Sequence, residues 1–413
     1  MIGRARRDPS EIVTATEQNA DAVARDLRLI LRIQALRAFL YGFGSVFIGA
    51  SLAASGASTL EVGAVFTAML IGMAVASIAV GLRGERIGRR RLYVGLLALM
   101  GVAGAVFAVT DYVPVLIVAA LTGTLSSDPN ESGPITSLEQ AMMGGAPAEV
   151  RARVFGRYNA VAYLAGAVGA LFAAVPPLVD PDSVSLRWLL LFPVLAVGAA
   201  LLAARLSPAV EATTGTRPPR PLGRSRPRVA RLAALFSLDS FAGGFVVQAF
   251  IVFWFGRRFG ASQELMGVVF FCAGLLQVAS SIVAGRLAGR IGMLNTMVFT
   301  HIPSNVLLML IPLAPSLAGA VALLLARVSL SQMDVPARQA YVVAMVDPEE
   351  RVAAAAFTNT ARYVTRPAGP LIGSALMQVA IGAPFVVAGS LKIVYDLLLF
   401  ATFRRVRLPG GAR

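Results

Sequence analysis

Charged side chains inside long apolar stretches are the residues of this sequence whose types and spacing could do chemistry. A charge at the centre of a bilayer-spanning helix costs at least ~2.5–3.5 kcal/mol on insertion scales, and it usually faces a cavity or a partner. Such charges can bind an ionic ligand, hold a transferable proton or form buried ion pairs. With one amide among them, the candidates are Arg37, Asp128, Glu131, Asp239, Asp334, Arg338, Asn359, Arg362 and Arg366.

Asp239 lies about ten residues into its apolar stretch, or ~15 Å at 1.5 Å per residue, close to the middle of a bilayer. Burial favours the neutral form of a carboxyl group, which suits this residue to carry a proton. Arg37 occupies the matching position in the first half of the chain. We hypothesise that the two residues face each other across a cavity in at least one state. A permanent structural ion pair between the halves is the alternative.

The sequence around residues 126–134 predicts a broken helix. Pro129, Gly133 and Pro134 interrupt an otherwise apolar stretch that also carries Asp128 and Glu131. Proline and glycine break the helical hydrogen-bond ladder, and irregular backbone at membrane depth is tolerated beside protein or a wet cavity. We therefore expect Glu131 to be a functional carboxylate. The alternative is that the helix ends early and these residues form a loop near the cytoplasm.

Three further groups of polar residues lie late in the chain. Asp334 and Arg338 are four residues apart, so they share a helix face and are expected to pair. Arg362 and Arg366 are also four apart and follow Asn359; they either bind an anionic group by bidentate contacts or neutralise carboxylates elsewhere. The remaining charges are interpreted as structural, with Lys392 and Asp396 as a buried pair and His301 as a satisfied core residue.

Composition requires these residues to sit on membrane-spanning helices. The chain has 413 residues, of which 57% are hydrophobic and 14% charged, whereas soluble domains average about 25% charged residues. Its apolar runs are continuous and about 20 residues long, which is typical of spanning helices rather than barrel strands. The predicted spans cover residues 29–54, 60–82, 92–110, 113–143, 152–176, 186–206, 230–255, 263–285, 293–314, 316–345, 352–378 and 382–403.

The distribution of arginine predicts the orientation and excludes several classes of protein. The net charge is +15, but the arginines lie between apolar runs, which indicates no nucleic-acid partner. Arginine-rich and arginine-poor connections alternate, and the rich set is expected to be cytoplasmic together with both termini. With single residues Cys272 and His301, we expect no disulfide, metal site, cofactor or enzymatic activity.

The two halves of the chain are related in sequence. The run from Gly56 to Gly88 matches the run from Gly260 to Gly292 without a gap, at a constant offset of 204 residues (260 − 56). A proline- and arginine-rich stretch separates the halves. We therefore predict an N-terminal tail over 1–28, a six-helix bundle over 29–206, a cytoplasmic linker over 207–229, a second bundle over 230–405 and a tail over 406–413.

The loop after the second span carries a specific motif. Its residues are Gly81, Glu85, Arg86, Gly88, Arg89 and Arg90, and a weaker copy after the eighth span keeps Gly285, Arg290 and Gly292. This motif and the parallel repeat resemble the cytoplasmic signature and architecture of the major facilitator superfamily. The resemblance implies an all-α membrane protein with twelve transmembrane helices in two pseudo-symmetric six-helix bundles. It also implies that the motif latches the inward side shut, and that helices 1, 4, 7 and 10 line a central cavity.

The resemblance further implies a secondary active transporter in a prokaryotic plasma membrane, acting as a monomer by alternating access. We expect proton-coupled efflux of a small amphipathic organic molecule, with Phe39, Tyr41, Phe241 and Phe245 in the cavity. One alternative is uptake or export of an organic anion through an arginine-lined site formed by Arg37, Arg338, Arg362 and Arg366. Another is a transporter-like sensor or scaffold that moves nothing.

Overall fold

The computed structural model of the protein describes residues 9–129, 133–143, 148–179, 186–211, 222–223 and 225–406. Within these ranges every regular element is a helix, and the helices match the twelve predicted spans, which confirms the all-α membrane fold. Their bounds are Pro9–Ala54 (span 1), Thr59–Ile87 (span 2), Arg89–Val109 (span 3), Val113–Ala120 with Pro134–Met143 (span 4), Ala148–Phe172 with Val175–Val179 (span 5), Leu186–Leu190 with Leu191–Ala204 (span 6), Arg226–Gly244 with Gln248–Phe259 (span 7), Gln263–Ile291 (span 8), Met293–Leu310 with Ile311–Leu313 (span 9), Leu317–Ser331 with Asp334–Ala344 (span 10), Arg351–Thr365 with Ala368–Val379 (span 11) and Ala383–Phe403 (span 12).

Ten of the helical segments in the described ranges are long and apolar enough to cross a membrane. Spans 4 and 11 are the two that fall outside this set. Span 4 is interrupted between its two helices, and span 11 carries Arg362 and Arg366 within a stretch that would otherwise be apolar. Both of the spans outside this set carry candidate site residues, Asp128 in the interruption of span 4 and Arg362 and Arg366 in span 11.

The internal repeat is visible in local geometry. Span 2 begins with a capping box, in which the Ser58 amide donates to Glu61 at 2.8 Å and the Glu61 amide donates to Ser58 at 3.3 Å. Ser262 caps span 8 at the matching position. The two spans end at Gly88 and Gly292, whose φ angles of 93° and 87° lie in the region that favours glycine. These pairs keep the 204-residue offset of the sequence repeat.

Four spans are discontinuous near their centres. The predicted break in span 4 is confirmed, since one helix ends at Ala120 and the next begins at Pro134. Span 10 breaks at residues 332–333 and span 11 at residues 366–367. Span 7 breaks at residues 245–247, and the sequence interpretation missed this break. The break in span 7 allows the Ala249 amide to donate to the Ser127 carbonyl of span 4 at 3.0 Å. Backbone freed at membrane depth is thereby satisfied by the other half of the protein.

We call the side of the molecule where span 1 begins and span 12 ends the termini side, and the opposite side the distal side. Small residues bring the two halves together on the distal side. Gly49 of span 1 packs so closely against Ala249 of span 7 that a methyl group on the glycine would clash with the Ala249 carbonyl. Gly63 packs in the same way against Ser374. Gln248 and Ser45 meet across the halves with a hydrogen bond of 2.9 Å.

The predicted tails and linker are only partly described. The helix of span 1 begins at Pro9, well before the predicted start of the membrane domain, so part of the predicted tail is helical. The start of the predicted linker is held by Asp26, whose carboxylate accepts the Ser207 amide at 3.0 Å. Its end is held by Glu350, which accepts the Gly223 amide at 2.7 Å. Residues 212–221 of the linker lie outside the described ranges, and the domain boundaries stay predictions.

Candidate functional site

A central cavity of ≈ 310 Å³ gathers most of the predicted site residues. Spans 4, 5 and 7–12 contribute to its wall. Seven of the nine candidates line it: Asp128, Asp239, Asp334, Arg338, Asn359, Arg362 and Arg366. Glu131, the eighth, lies outside the described residues. Arg37 of span 1, the ninth, does not line the cavity.

Asp239 is the centre of the charged wall. Its side chain is buried, with the residue only 3% exposed, in the helix Arg226–Gly244. Lys392 Nζ of span 12 donates to Oδ1 at 2.5 Å, and Arg338 Nη1 of span 10 contacts Oδ2 at 3.4 Å. Arg362 Nη2 of span 11 and His301 Nε2 of span 9 each lie 3.9 Å from a carboxylate oxygen. Three permanent cations and one imidazole, from four spans, therefore converge on one carboxylate.

The predicted pair of Asp334 and Arg338 is confirmed. Arg338 Nη1 lies 3.0 Å from Asp334 Oδ2, one helical turn away in the second helix of span 10. The same nitrogen also contacts Asp239, so Arg338 joins the two carboxylates. We refer to Asp239, Asp334, Arg338, Arg362 and Lys392 as the C-half cluster.

Arg366 links the halves at the breaks of two spans. Its Nη2 lies 3.6 Å from Oδ2 of Asp128, which stands in the interruption of span 4. Both side chains are partly accessible, at 21% and 25%. Of the two roles predicted for the arginines of span 11, neutralisation of a carboxylate on span 4 is realised by Arg366. Arg362 instead approaches Asp239 of span 7.

Lys392 and Asp396 do not form the predicted pair. Lys392 instead contacts Asp239. The partner of Asp396 is His301, whose Nδ1 lies 2.9 Å and 3.0 Å from the two carboxylate oxygens. Asn305 donates to the same carboxylate at 3.2 Å. The interpretation as a lone structural pair is wrong because span 12 is not peripheral here; it packs against spans 7 and 9 and turns both side chains inward. Sequence reasoning thus missed Lys392 and His301 as cavity residues.

Arg37 belongs to a separate buried network in the first half. Its Nη2 lies 2.7 Å from Oε2 of Glu139 in span 4, and it also contacts Gln34 and the Tyr158 hydroxyl. Tyr93 and Tyr158 donate to the same Glu139 carboxylate at 2.7 Å and 2.5 Å. We call these five residues the N-half cluster. In this conformation, and among the described residues, Arg37 therefore pairs within its own half. The hypothesised approach of Arg37 to Asp239 in another state stays a prediction.

Arg327 is a cavity residue that sequence reasoning missed. It lies in the first helix of span 10 and lines the cavity, and it makes no ion pair within 4 Å among the described residues. Its buried Nε has no hydrogen-bond partner among the described residues, and the same is true of Arg362 Nε. The available signal was an arginine inside a predicted span, seven residues before Asp334 in the sequence.

The aromatic residues expected in the cavity lie elsewhere. Phe39 packs on Phe172 with ring centroids 5.5 Å apart, and the Tyr41 hydroxyl donates to the Thr124 carbonyl at 2.8 Å. Neither these two nor Phe241 and Phe245 are among the lining residues. Phe241 and Phe245 pack on each other, with ring centroids 5.0 Å apart. The side chains that line the cavity are mostly polar, among them Gln140, Tyr163, Gln277, Gln332, Gln339 and Tyr363.

The motif after span 2 organises the termini side of the first half. The Arg89 and Arg90 amides donate to Glu211 at 2.6 Å and 3.2 Å, and the Arg90 side chain donates to the Leu206 carbonyl at 2.9 Å. These contacts join spans 3 and 6 at the start of the linker. Arg86 and Arg290 are exposed, an added methyl at Gly81 or Gly285 would meet open space, and the Glu85 side chain is not described. The predicted latch between the halves therefore stays a prediction.

The chemistry available in the cavity is charge recognition. Within the described ranges no group of three or more His, Cys, Asp or Glu residues could hold a metal ion. The described lining carries five permanent cations against three carboxylates, an excess of two positive charges, with His301 beside them. Amide and phenol groups around these charges can donate or accept hydrogen bonds. The arrangement is suited to bind a polar, anionic small molecule.

Comparison with known proteins agrees with this architecture. A family model described as Major Facilitator Superfamily matches residues 33–331. An uncharacterized membrane protein of Saccharomyces cerevisiae is 24% identical over 92% of this chain and 94% of its own length.

Among solved structures, the fold is similar to that of the nucleoside transporter NupG, with a TM-score of 0.74 and 12% identity over 92% of this chain and 100% of the other. It is also similar to the human organic anion transporter MFSD10, with a TM-score of 0.62 and 17% identity over 91% and 99%. At these identities the likeness concerns the fold alone.

Proposed function

The chain belongs to the major facilitator superfamily of secondary transporters, and from that premise we propose that it moves a small organic anion by alternating access through the central cavity. The observation that carries the proposal is the positive excess of the described cavity wall, five permanent cations against three carboxylates. A volume of ≈ 310 Å³ lies at the lower end of ligand sites, which favours a compact substrate.

Arg362 and Arg327 are the proposed binding residues. Arg338 and Lys392 already have close carboxylate partners at 3.0 Å and 2.5 Å. Arg362 comes no closer than 3.9 Å to Asp239, and the Nε atoms of Arg362 and Arg327 have no hydrogen-bond partner in the described ranges. A guanidinium group with spare donors matches a carboxylate or phosphate bidentately. An anion between these residues would satisfy donors that the described protein leaves unmet.

Proton-exchange efflux through Asp239, the first of the sequence predictions, receives less support. That mechanism needs Asp239 to take up and release a proton. Lys392, Arg338 and Arg362 lie within 4 Å of its carboxylate and favour the charged form. Export as the direction of transport stays a prediction, as do the plasma membrane and the cytoplasmic location of the termini.

The contacts between the halves support a conformation closed on the distal side. The glycine contacts of Gly49 and Gly63 lie there, as does the hydrogen bond from the Leu371 amide to Thr67 Oγ1 at 3.1 Å. The only cross-half ion pair in the described ranges, Arg366 with Asp128, is central. If arginine-rich loops are cytoplasmic, the cavity faces inward in this conformation, and transport requires the distal contacts to open.

Flux into proteoliposomes tests the proposal. Purified protein would be reconstituted and assayed for counterflow of radiolabelled monocarboxylates, dicarboxylates, sugar phosphates, organic cations and neutral nucleosides. We expect counterflow of at least one anionic class. We also expect Arg362→Ala to weaken its apparent affinity tenfold or more, since hydrogen bonds to charged groups contribute about 1.5–3 kcal/mol.

Arg258→Ala is the matched control. It also removes one arginine, but from an exposed site at the distal end of span 7 next to Phe259. Counterflow of organic cations alone would contradict the anion proposal and return the assignment to the carboxylates. No flux of any class would instead favour the sensor or scaffold alternative.

A further inference from the structure

We propose that His301 is the proton site that couples anion binding to pH, an inference that rests on the proposed anion transport. His301 is the single histidine of the chain, and it lines the cavity between two carboxylates. Histidine is the side chain type that ordinarily changes charge between pH 5 and 8.

The two nitrogens of His301 have different environments. Nδ1 lies 2.9 Å and 3.0 Å from the oxygens of Asp396. An ionised carboxylate can only accept, so opposite an ionised Asp396 the neutral ring carries its hydrogen on Nδ1. Asp396 is itself 0% exposed and held by Asn305 at 3.2 Å, which fixes the ring orientation. The lone pair of Nε2 therefore points toward Asp239 Oδ1, 3.9 Å away. In the neutral state these two atoms are both acceptors and form no hydrogen bond.

Protonation changes that contact from repulsive to attractive. A proton taken from water onto Nε2 gives an N–H that faces Asp239 Oδ1, the oxygen that Lys392 Nζ already holds at 2.5 Å. The imidazolium and Lys392 then share the Asp239 carboxylate, so the attraction between Lys392 and Asp239 is weaker. Lys392 also lines the cavity. One proton thus adds one positive charge to the wall and releases an ammonium group toward the substrate.

The charged neighbours of His301 on every packed span allow this change. Span 12 contributes Asp396 and Lys392, with the Tyr395 ring 6.0 Å from the imidazole. Span 7 contributes Asp239, and span 11 reaches that carboxylate with Arg362. Span 10 contributes the pair of Asp334 and Arg338. It also contributes Arg327, whose backbone carbonyl accepts a hydrogen bond from the Ser304 hydroxyl. The charged residues of span 8 lie near its ends, at Glu264, Arg286 and Arg290. Asp396 at 2.9 Å and Asp239 at 3.9 Å are the two carboxylates that stabilise an imidazolium.

The sign of the coupling follows from electrostatics. An added positive charge strengthens anion binding, and by linkage a bound anion strengthens proton binding to the same extent. Proton and anion therefore move together in one direction. This prediction differs from proton exchange, in which the proton and the substrate compete.

The single histidine makes a direct test available. The protein would be labelled with ¹⁵N-histidine, purified with a histidine-free affinity tag and observed by NMR in micelles from pH 5 to 8.5. We expect one imidazole signal that titrates within this range, with a lower midpoint in Asp396→Asn because one of its stabilising charges is lost. A saturating anion from the counterflow panel should raise the midpoint by about one pH unit, corresponding to tenfold coupling.

Flux provides the second readout. In the wild type, apparent anion affinity should rise about tenfold from pH 8 to pH 5.5, and in His301→Gln it should change less than twofold. A signal that does not titrate, a midpoint that an anion leaves unchanged, or a full pH response in His301→Gln would each overturn the proposal. If no anion binds at any pH, the proposed function fails and the coupling falls with it, whereas the titration without ligand still decides whether His301 takes a proton.

Discussion

The two halves of this protein place matching residues in opposite situations. Arg37 and Asp239 are repeat mates at an offset of 202 residues (239 − 37), yet each finds its partners in its own half. Arg37 is paired one to one with Glu139, and two tyrosines complete the shell of the carboxylate. Asp239 instead stands among Lys392, Arg338 and Arg362 at the cavity wall.

The difference indicates a division of labour within a symmetric scaffold. The N-half cluster is balanced, buried and outside the cavity, as expected of a structural network that orients spans 1, 3, 4 and 5. The C-half cluster has more cations than carboxylates and meets the cavity, as expected of a site that binds a changing partner. A charged cluster at a cavity wall is a candidate functional site, whereas charges that are fully paired in a core are expected to be structural.

Glu139→Gln should produce the largest loss of stability. It leaves the guanidinium of Arg37 buried without its counter-charge, and breaking a buried ion pair in this way costs about 3–5 kcal/mol. Asp334→Asn is the matched change in the C-half cluster, where Arg338 keeps Asp239 at 3.4 Å, and we expect a loss of about 1 kcal/mol. Denaturant unfolding in micelles measures both, and equal losses would remove the distinction between the clusters.

Asp239→Asn should destabilise the protein by about 3 kcal/mol, because Lys392 loses its 2.5 Å partner. Unlike Glu139→Gln, this variant is expected to regain stability when organic anions are added, since an anion in the cavity can replace the missing carboxylate. The melting temperature of each variant with and without anion provides the measurement. If anions also stabilise Glu139→Gln, the N-half cluster is not sealed from the cavity. If anions stabilise neither variant, the C-half cluster is not an accessible anion site.

Arg362→Lys should lower anion affinity about tenfold while keeping the charge, because an ammonium group cannot form the bidentate contact. Its effect should be smaller than that of Arg362→Ala. Counterflow at several anion concentrations measures both affinities. An affinity equal to that of the wild type would mean that Arg362 acts only through its charge.

Asp128→Asn should have the smallest effect on stability. The pair with Arg366 at 3.6 Å is partly accessible, and such pairs contribute about 0.2–1 kcal/mol. Because the pair joins the halves, its loss should shift the equilibrium between conformations by up to about fivefold.

Labelling can follow that shift. In a Cys272→Ala background, Ser374→Cys places the only thiol at the distal contact with Gly63, where the serine is 0% exposed. A faster labelling rate in Asp128→Asn would report more frequent distal opening. An unchanged rate would show that the ion pair does not hold the halves together.

Much of the fold follows from the sequence, because continuous apolar runs and arginine-rich turns determine the spans. The break in span 4 is predictable from Pro129 and Pro134, and the pair of Asp334 and Arg338 from its four-residue spacing. Partner choice across spans is not predictable in this way. Lys392 chooses Asp239 and not Asp396 because spans 7 and 12 pack together, and Glu139 receives Arg37 through packing of residues 102 positions apart. Such contacts depend on helix rotation, which local spacing does not determine.

The central claim is that the C-half cluster binds an organic anion, and ligand-dependent thermal stability tests it most directly. A ligand that binds only the folded state raises the apparent stability by mass action. The melting temperature of the wild type and of Arg362→Ala would be measured with the anions, cations and neutral compounds of the counterflow panel. We predict that one or more anions raise the melting temperature of the wild type and do not raise that of Arg362→Ala. Stabilisation by cations alone, or equal stabilisation of both proteins by anions, would contradict the account.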